Sequence, residues 1–427
     1  MHFDLQTIWA ILVTILLAGY IVTDGFDLGV GILHLFVAKT DIERRVNINA
    51  IGPVWDGNEV WFITAGGAAF AAFPELYAAL FSSLYIALFV VLLALIYRAV
   101  SFEFRSKEES EGWRKFWDQS IFWSSFVVAL LIGVAIGNIL AGLPIKNMAI
   151  EGNELLGFVY AEKFPISFIN LVNPFTFHGL FGILVGIATV LFIIMHGVSW
   201  LLWKTEGSIA ERARNIGLKV WLPFVIMYVV CTGLAYTISF KVGNPELAQK
   251  YLQLPPDMFQ QIAGMIDSNG VLHHALFRFP VIELILIVLA ALSAVGWLLA
   301  VKAVNGAKAF LFSTLTFLFA GFAVMFGAYP LAVPSSLGLE HSITIYNGAS
   351  SHLTLTVMLV AALIFTPIVI AYQAWVTRCS SSRFLLSQSR ENLKEQNTKR
   401  EVIENVAYNI FRLVGFCSLR YICNCKV

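Results

Sequence analysis

Nine apolar runs, each long enough to cross a bilayer core, constrain this chain more than any other feature. They fall at Thr7–Val37, Trp55–Phe73, Leu76–Ala99, Ser120–Ala141, Phe175–Trp203, Val220–Phe240, Pro280–Val301, Phe310–Tyr329 and Leu353–Val376. About 18 or more consecutive apolar residues match the thickness of the hydrocarbon layer. Backbone groups in lipid must bond internally, so each run is expected to be a helix. The expected fold class is therefore all-α, a polytopic membrane protein of about nine transmembrane helices. The first run is too long for one perpendicular crossing and predicts a tilted helix that continues past the interface. Only 13% of the residues are charged, against about 25% in a soluble domain. A net charge of +1 leaves no basic footprint for nucleic acid.

Lysine and arginine positions set the expected orientation. Connections 1–2, 3–4, 5–6 and 7–8 share one side and hold Lys39, Arg44, Arg45, Arg98, Arg105, Lys107, Arg114, Lys115, Lys204, Arg212, Arg214, Lys219, Lys302 and Lys308, fourteen in all. The other side holds five: Lys146, Lys163, Lys241, Lys250 and Arg278. The richer side is expected to be cytoplasmic, with the N-terminus outside and the C-terminus inside. Spacing divides residues 1–376 into two four-helix halves, helices 1–4 and 5–8, with a ninth helix at 353–376. Each half opens on close glycines, Gly25, Gly29 and Gly31 or Gly179, Gly182 and Gly186, which let helices approach closely in lipid. The long outer connections, about 142–174 and 241–279, imply ordered structure outside the membrane.

Residues 377–427 form a polar, then briefly amphipathic tail with no assigned role. Cys417, Cys423 and Cys425 in that tail lack a fourth ligand at zinc spacing, so no metal site is expected. Cys231 reads as a free buried thiol, and no disulfide framework is indicated. Met1 onward lacks a charged leader and a small-residue cleavage site, and is read as part of the first mature helix.

Charge inside the apolar runs carries the chemistry. Asp24 and Asp27, three residues apart, share one face of the first helix, and His34 continues the stripe. From Thr7, Asp27 lies about 30 Å along the axis, toward the cytoplasmic end. Asp56 and Glu59 open the second helix near the same level, and Arg98 ends the third on that side. Acids in a first turn also suit the helix dipole, and an interfacial arginine also snorkels; these readings fit Glu59 and Arg98 as well as function does. They fit Asp27 poorly, because an acid inside a span costs several kcal/mol and needs a partner. Asp27 and Asp56 therefore read as proton-conducting groups, with a static ion pair as the alternative.

Paired histidines often hold haem in membrane helices. His178 and His196 lie on one helix, about 27 Å apart, and cannot share a haem. His196 is the sole deep candidate ligand, and a lone helix histidine is more often hydrogen-bonded. The sequence by itself argues against a self-contained cytochrome.

These residues fall in recognisable motifs. Thr23-Asp24-Gly25-Phe26-Asp27-Leu28-Gly29-Val30-Gly31, Trp55-Asp56-Gly57-Asn58-Glu59-Val60-Trp61 with Thr64-Ala65-Gly66-Gly67, and Arg98 followed by Phe102-Glu103-Phe104-Arg105 resemble subunit II of the cytochrome bd-type quinol oxidases. Gly133-Val134-Ala135-Ile136-Gly137-Asn138, Asn173-Pro174-Phe175, His196-Gly197, Tyr329-Pro330 and Ser351-His352-Leu353-Thr354-Leu355 agree in order. The resemblance runs to about Val376. It implies a bacterial inner-membrane, electrogenic, oxygen-reducing complex that oxidises quinol. Two haems b and one haem d are expected in the partner subunit I, with none ligated by this chain. A small single-helix subunit, and a lipid or quinone between the helices, are left open. The resemblance puts Asp27 and Asp56 on a proton route from the cytoplasm, Arg98 near its entrance, and Trp61 on the path of oxygen from the membrane. Asp24 and Glu59 are expected to belong to the same route. The alternative function is a proton- or cation-coupled secondary transporter, which would also use intramembrane acids.

Overall fold

The structure, a computed structural model, describes residues 4–149, 155–160 and 166–379. Most of the chain is helix. In order come α1 (Leu5–Val37), α2 (Asp41–Ile51), α3 (Trp55–Ala72), α4 (Pro74–Ser83), α5 (Tyr85–Phe104) and α6 (Glu111–Ala141). A hairpin of β1 (Ile145–Ala149) and β2 (Leu155–Tyr160) and a short α7 (Ile166–Leu171) lead to α8 (Phe177–Lys204) and α9 (Gly207–Tyr236). Next are β3 (Phe240–Lys241), α10 (Pro245–Tyr251), α11 (Pro256–Ala263), β4 (Val271–Leu272), α12 (Pro280–Lys302) and α13 (Gly306–Ala328). The described chain closes with β5 (Leu331–Val333), β6 (Ile343–Thr344) and α14 (His352–Cys379). Each strand pair is antiparallel and local. The three cysteines of the tail lie outside the described residues.

Among the described residues, eight helices are long and apolar enough to cross a membrane: α1, α5, α6, α8, α9, α12, α13 and the first part of α14. The expected second span is α3. Its opening turn, Asp56-Gly57-Asn58-Glu59, lowers its hydropathy below theirs. The expected third run divides in two, because Pro74 starts α4 and the chain bends at Leu84 before α5 begins. Both pieces are apolar, so hydropathy alone does not register the break. Helices α6 and α9 start about two and a half and three and a half turns earlier than the apolar runs do, on polar extensions outside the bilayer-length segment.

The charged connections meet at one end of the molecule. Arg105, after α5, donates to Asp41 of α2 at 2.7 Å. Arg212, near the start of α9, donates to the Val37 carbonyl at the end of α1 at 2.6 Å. Gly306, which opens α13, packs on the backbone of Leu202 and Trp203 at the end of α8. At the opposite end lie the N-terminus of α1 and the extramembrane elements, where Tyr346 donates to Asp4 at 2.8 Å and Ser335 to the Ile145 carbonyl at 2.6 Å.

Helix α1 is the axis of the assembly, packed by α3, α6 and α8. Every residue from Asp24 to His34 is buried. That enclosure depends on close approach: a Cβ on Gly29 would come within 2.7 Å of the Gly197 nitrogen of α8. Gly137 of α6 likewise meets Gly182 of α8. Phe26 stacks on Trp200 at 3.8 Å, and Trp200 donates to the Ala50 carbonyl at 2.9 Å, which seats α2 beneath α1 and α8.

Helix α2 begins with a capping box, in which Thr40 accepts from the Glu43 N–H at 3.2 Å and Glu43 from the Thr40 N–H at 3.1 Å. Glu43 also binds Ser208 at 2.7 Å and Arg212. Burial would raise the Glu43 pKa. The hydrogen bonds from Ser208, the Lys39 N–H, Arg212 and the Thr40 N–H outweigh it and hold the carboxyl at about 2, below an ordinary 4.5. A depressed carboxylate stabilises the fold fully above its unfolded value and loses that contribution as pH falls toward the folded one. Thermal unfolding should therefore fall more steeply in the wild type than in Glu43→Gln between about pH 5 and pH 3. Equal slopes would show that Glu43 does not fasten α2 to α9.

Candidate functional site

Three helices place one cation among three acids in the membrane-spanning region. Asp24, Asp27 and Arg98 are fully buried. Arg98 of α5 donates through Nη2 to Asp24 of α1 and, at 2.7 Å, to Glu59 of α3. Asp27 is held differently. Its Oδ2 accepts from the Asn58 side chain at 2.8 Å, and Asn58 also reaches the Thr23 carbonyl at 3.2 Å. Asp24 Oδ2, Asp27 Oδ1 and the Arg98 Nε and Nη1 atoms are buried with no hydrogen-bond partner among the described residues. Tyr20 is buried one turn before Asp24.

Local sequence explains this arrangement. Asp24 and Asp27 point to one side of α1 because they are three residues apart, and α3 lies along that side. Asn58 and Glu59 are adjacent in α3, so the pair reaches Asp27 with an amide and Arg98 with a carboxylate. Glu59 remains 22% exposed, which makes it the rim of the cluster. Asp56, one turn earlier, is exposed and lies outside the hydrogen-bonded group. Trp61 covers Gly19 of α1 so closely that a Cβ there would meet its ring within 2.8 Å of Cζ3.

The structure thus joins Glu59 and Arg98, which the helix-dipole and snorkelling readings treat as separate interfacial groups, to Asp24. Asn58 is the member that sequence reasoning missed. Its signal was present, since it sits between the two acids of the α3 motif.

A second polar network closes the charged end. Asp118 of α6 is almost fully buried and accepts from Arg105 Nε at 2.6 Å, Arg44 at 2.6 Å and His34 at 2.7 Å. Asp41 joins Arg105 to Arg114. The four connected elements are α1, α2, the end of α5 and α6. His34 thus continues the Asp27 stripe, but its partner is a clamp between helix ends.

His196 does not fit a haem. Its Nδ1 lies 2.8 Å from Ser313 Oγ and its Nε2 2.9 Å from the Val22 carbonyl. The Phe192 and Phe310 rings stack on it with centroids 5.7 and 4.8 Å away. Both nitrogens are engaged, and two aromatic rings stack against the imidazole. Among the described residues no group of His, Cys, Asp and Glu is placed to hold a metal ion.

Fold and site define a multi-pass helical membrane protein with acids and an arginine enclosed between its helices. Comparison with known proteins sharpens that class. The family model for cytochrome bd terminal oxidase subunit II matches residues 5–379. Cytochrome bd-I ubiquinol oxidase subunit 2 of Escherichia coli strain K12 is 37% identical over 389 residues, covering 87% of this chain and 93% of that protein. Cytochrome bd ubiquinol oxidase subunit 2 of Bacillus subtilis is 31% identical over 374 residues, with 87% and 94% covered. The solved bd oxidase of Geobacillus thermodenitrificans contains a chain of similar fold, with a TM-score of 0.58, 16% identity, and 88% of this chain and 98% of that chain covered. The chain belongs to the cytochrome bd terminal oxidase subunit II family, a component of an oxidoreductase complex. The transporter alternative finds no support in these relatives.

Removing one member of a buried ion pair costs about 3–5 kcal/mol, because the other charge is left uncompensated. Arg98→Met should therefore lower the thermal unfolding temperature of the purified complex by several degrees or prevent assembly. Adding Asp24→Asn should restore part of the loss. If the double variant is no better than the single one, Arg98 and Asp24 do not act as a pair.

Proposed function

We propose that this chain is the haem-free subunit of a quinol oxidase and carries protons from the cytoplasm toward a haem-bearing subunit I. The single observation behind this reading is the charge count of the buried cluster: one guanidinium faces three carboxyls. Three ionised acids around one cation leave excess negative charge in a medium where charge is expensive. A proton on one acid removes the excess. Asp27 is the acid bound by an amide and not by the cation, and its Oδ1 is free to hold or release a proton.

In this reading the richly basic end faces the cytoplasm, the N-terminus lies outside and α14 runs inward. Exposed Asp56 collects a proton, Glu59 at the rim passes it inward, and Asp27 delivers it. Arg98 and Asp24 fix the field around that transfer. Trp61 lies on the path of oxygen from the membrane. The haems b and d of the partner supply the reduction of oxygen to water when bound there. Residues 1–376 act as two four-helix halves and a ninth helix.

The outer face of α3 supports a protein partner. Asp56 is exposed, Glu59 partly so, and Gly66 and Gly67 have nothing packed over their Cβ positions. Transmembrane helices of subunit I packed along Gly66 and Gly67 would cover this face beyond its first turn and leave Asp56 open to the cytoplasm.

Asp27→Asn and Asp56→Asn should each reduce quinol-driven oxygen consumption about tenfold or more, while the assembled complex keeps its haem content. Normal turnover in assembled variants would reduce the cluster to a structural role.

A further inference from the structure

Arg278 stands apart from the proton cluster, at the opposite end of the molecule. It precedes α12 by two residues, so it lies where that helix enters the membrane. The side chain is 9% exposed. Its Nε donates to the Ala275 carbonyl at 3.3 Å. Neither Nη1 nor Nη2 has a hydrogen-bond acceptor among the described residues. Glu283, one turn into α12, is the acid that offsets its charge, but one oxygen of Glu283 is committed to the Phe279 N–H at 2.8 Å. Burial pulls the Arg278 pKa down to about 10, with Glu283 opposing, so the guanidinium is charged at neutral pH.

Arg278 lines a cavity of about 50 Å3, together with Asp257, Met258 and Ile262 of α11, Phe279 and Tyr329. A single water needs roughly 10–15 Å3, so the space takes a group of several heavy atoms. Two unsatisfied nitrogens on one planar guanidinium are spaced for two oxygens of one anion. Apolar Met258, Ile262 and Phe279 flank the polar end, and Tyr329 sits at the boundary where tyrosine is favoured. Glu283, beside Arg278, disfavours a doubly charged anion and favours a single negative charge.

We propose that Arg278 and this cavity bind the singly charged phosphodiester of a membrane phospholipid at the end of the molecule opposite the proton cluster. The lipid chains would run down the apolar flank between α11 and the start of α12. This site is independent of the proton role assigned to the cluster, and its test needs no turnover.

The purified complex containing the full chain is washed in detergent, and retained phospholipid phosphorus is counted per complex. Native mass spectra are then recorded while phosphatidylethanolamine or inorganic phosphate is added. The wild type should retain one more phospholipid than Arg278→Gln. Half-saturation with phosphatidylethanolamine should rise on the order of tenfold or more in that variant, with Arg278→Lys between the two. The double variant Arg278→Gln/Glu283→Gln, which also removes the carboxylate that Arg278 offsets, guards against misfolding and should behave as Arg278→Gln does. Equal lipid retention in the wild type and both Gln variants overturns the proposal. Binding of inorganic phosphate in place of the lipid, lost with Arg278, also overturns it in favour of a free-anion site.

Discussion

The ion cluster of Asp24, Glu59 and Arg98 can exist only because α1 is enclosed. Keeping water away raises the desolvation cost of a guanidinium and its carboxylates and strengthens their attraction, which repays that cost only where geometry is tight and the remaining polar atoms find partners. Eleven consecutive residues of α1, Asp24 to His34, are buried. Glycines at the contacts with α6 and α8 permit this, since a Cβ on Gly29 or Gly31 would collide with Gly197 or Ser125. The small residues of the α1 motif and its acids are therefore parts of one solution. The glycines bring the walls in, and the walls make a buried charge possible.

Two polar layers then divide the work. Asp118, with three donors around it, ties four elements together at the charged end. Every oxygen of that carboxylate is committed, which suits a fastener. The inner layer is incompletely satisfied, with free buried oxygens on Asp24 and Asp27. Unsatisfied buried polar atoms are uncommon and point to function or to bound water. Asp118 has both oxygens committed, whereas Asp24 and Asp27 each keep one buried oxygen without a partner among the described residues, and that difference distinguishes the two layers of a single helix stripe.

Much of this was legible in the residues. Apolar runs located the long helices, because bilayer thickness imposes their length. Asp27 stood out because a mid-helix acid in an apolar run has no cheap explanation. Loop charges grouped the four basic connections at one end, and contacts such as Arg105 with Asp41 put them there. Helix α2 was missed although Thr40 and Glu43 spell a capping box, since the search followed hydropathy and α2 is polar. The break at Leu84 left no trace in hydropathy. Pairing was the hardest part: spacing puts Asp24, Asp27, Glu59 and Arg98 at similar depth, but only packing decides that Arg98 takes Asp24 and Glu59 while Asn58 takes Asp27.

Infrared difference spectroscopy reads the protonation of a buried carboxyl directly. In the assembled oxidase, the spectrum between reduced and oxidised states should contain a protonated-carboxyl C=O band that shifts in deuterated water and disappears in Asp27→Asn. An identical carboxyl region in the wild type and in Asp27→Asn would contradict a proton carried on Asp27.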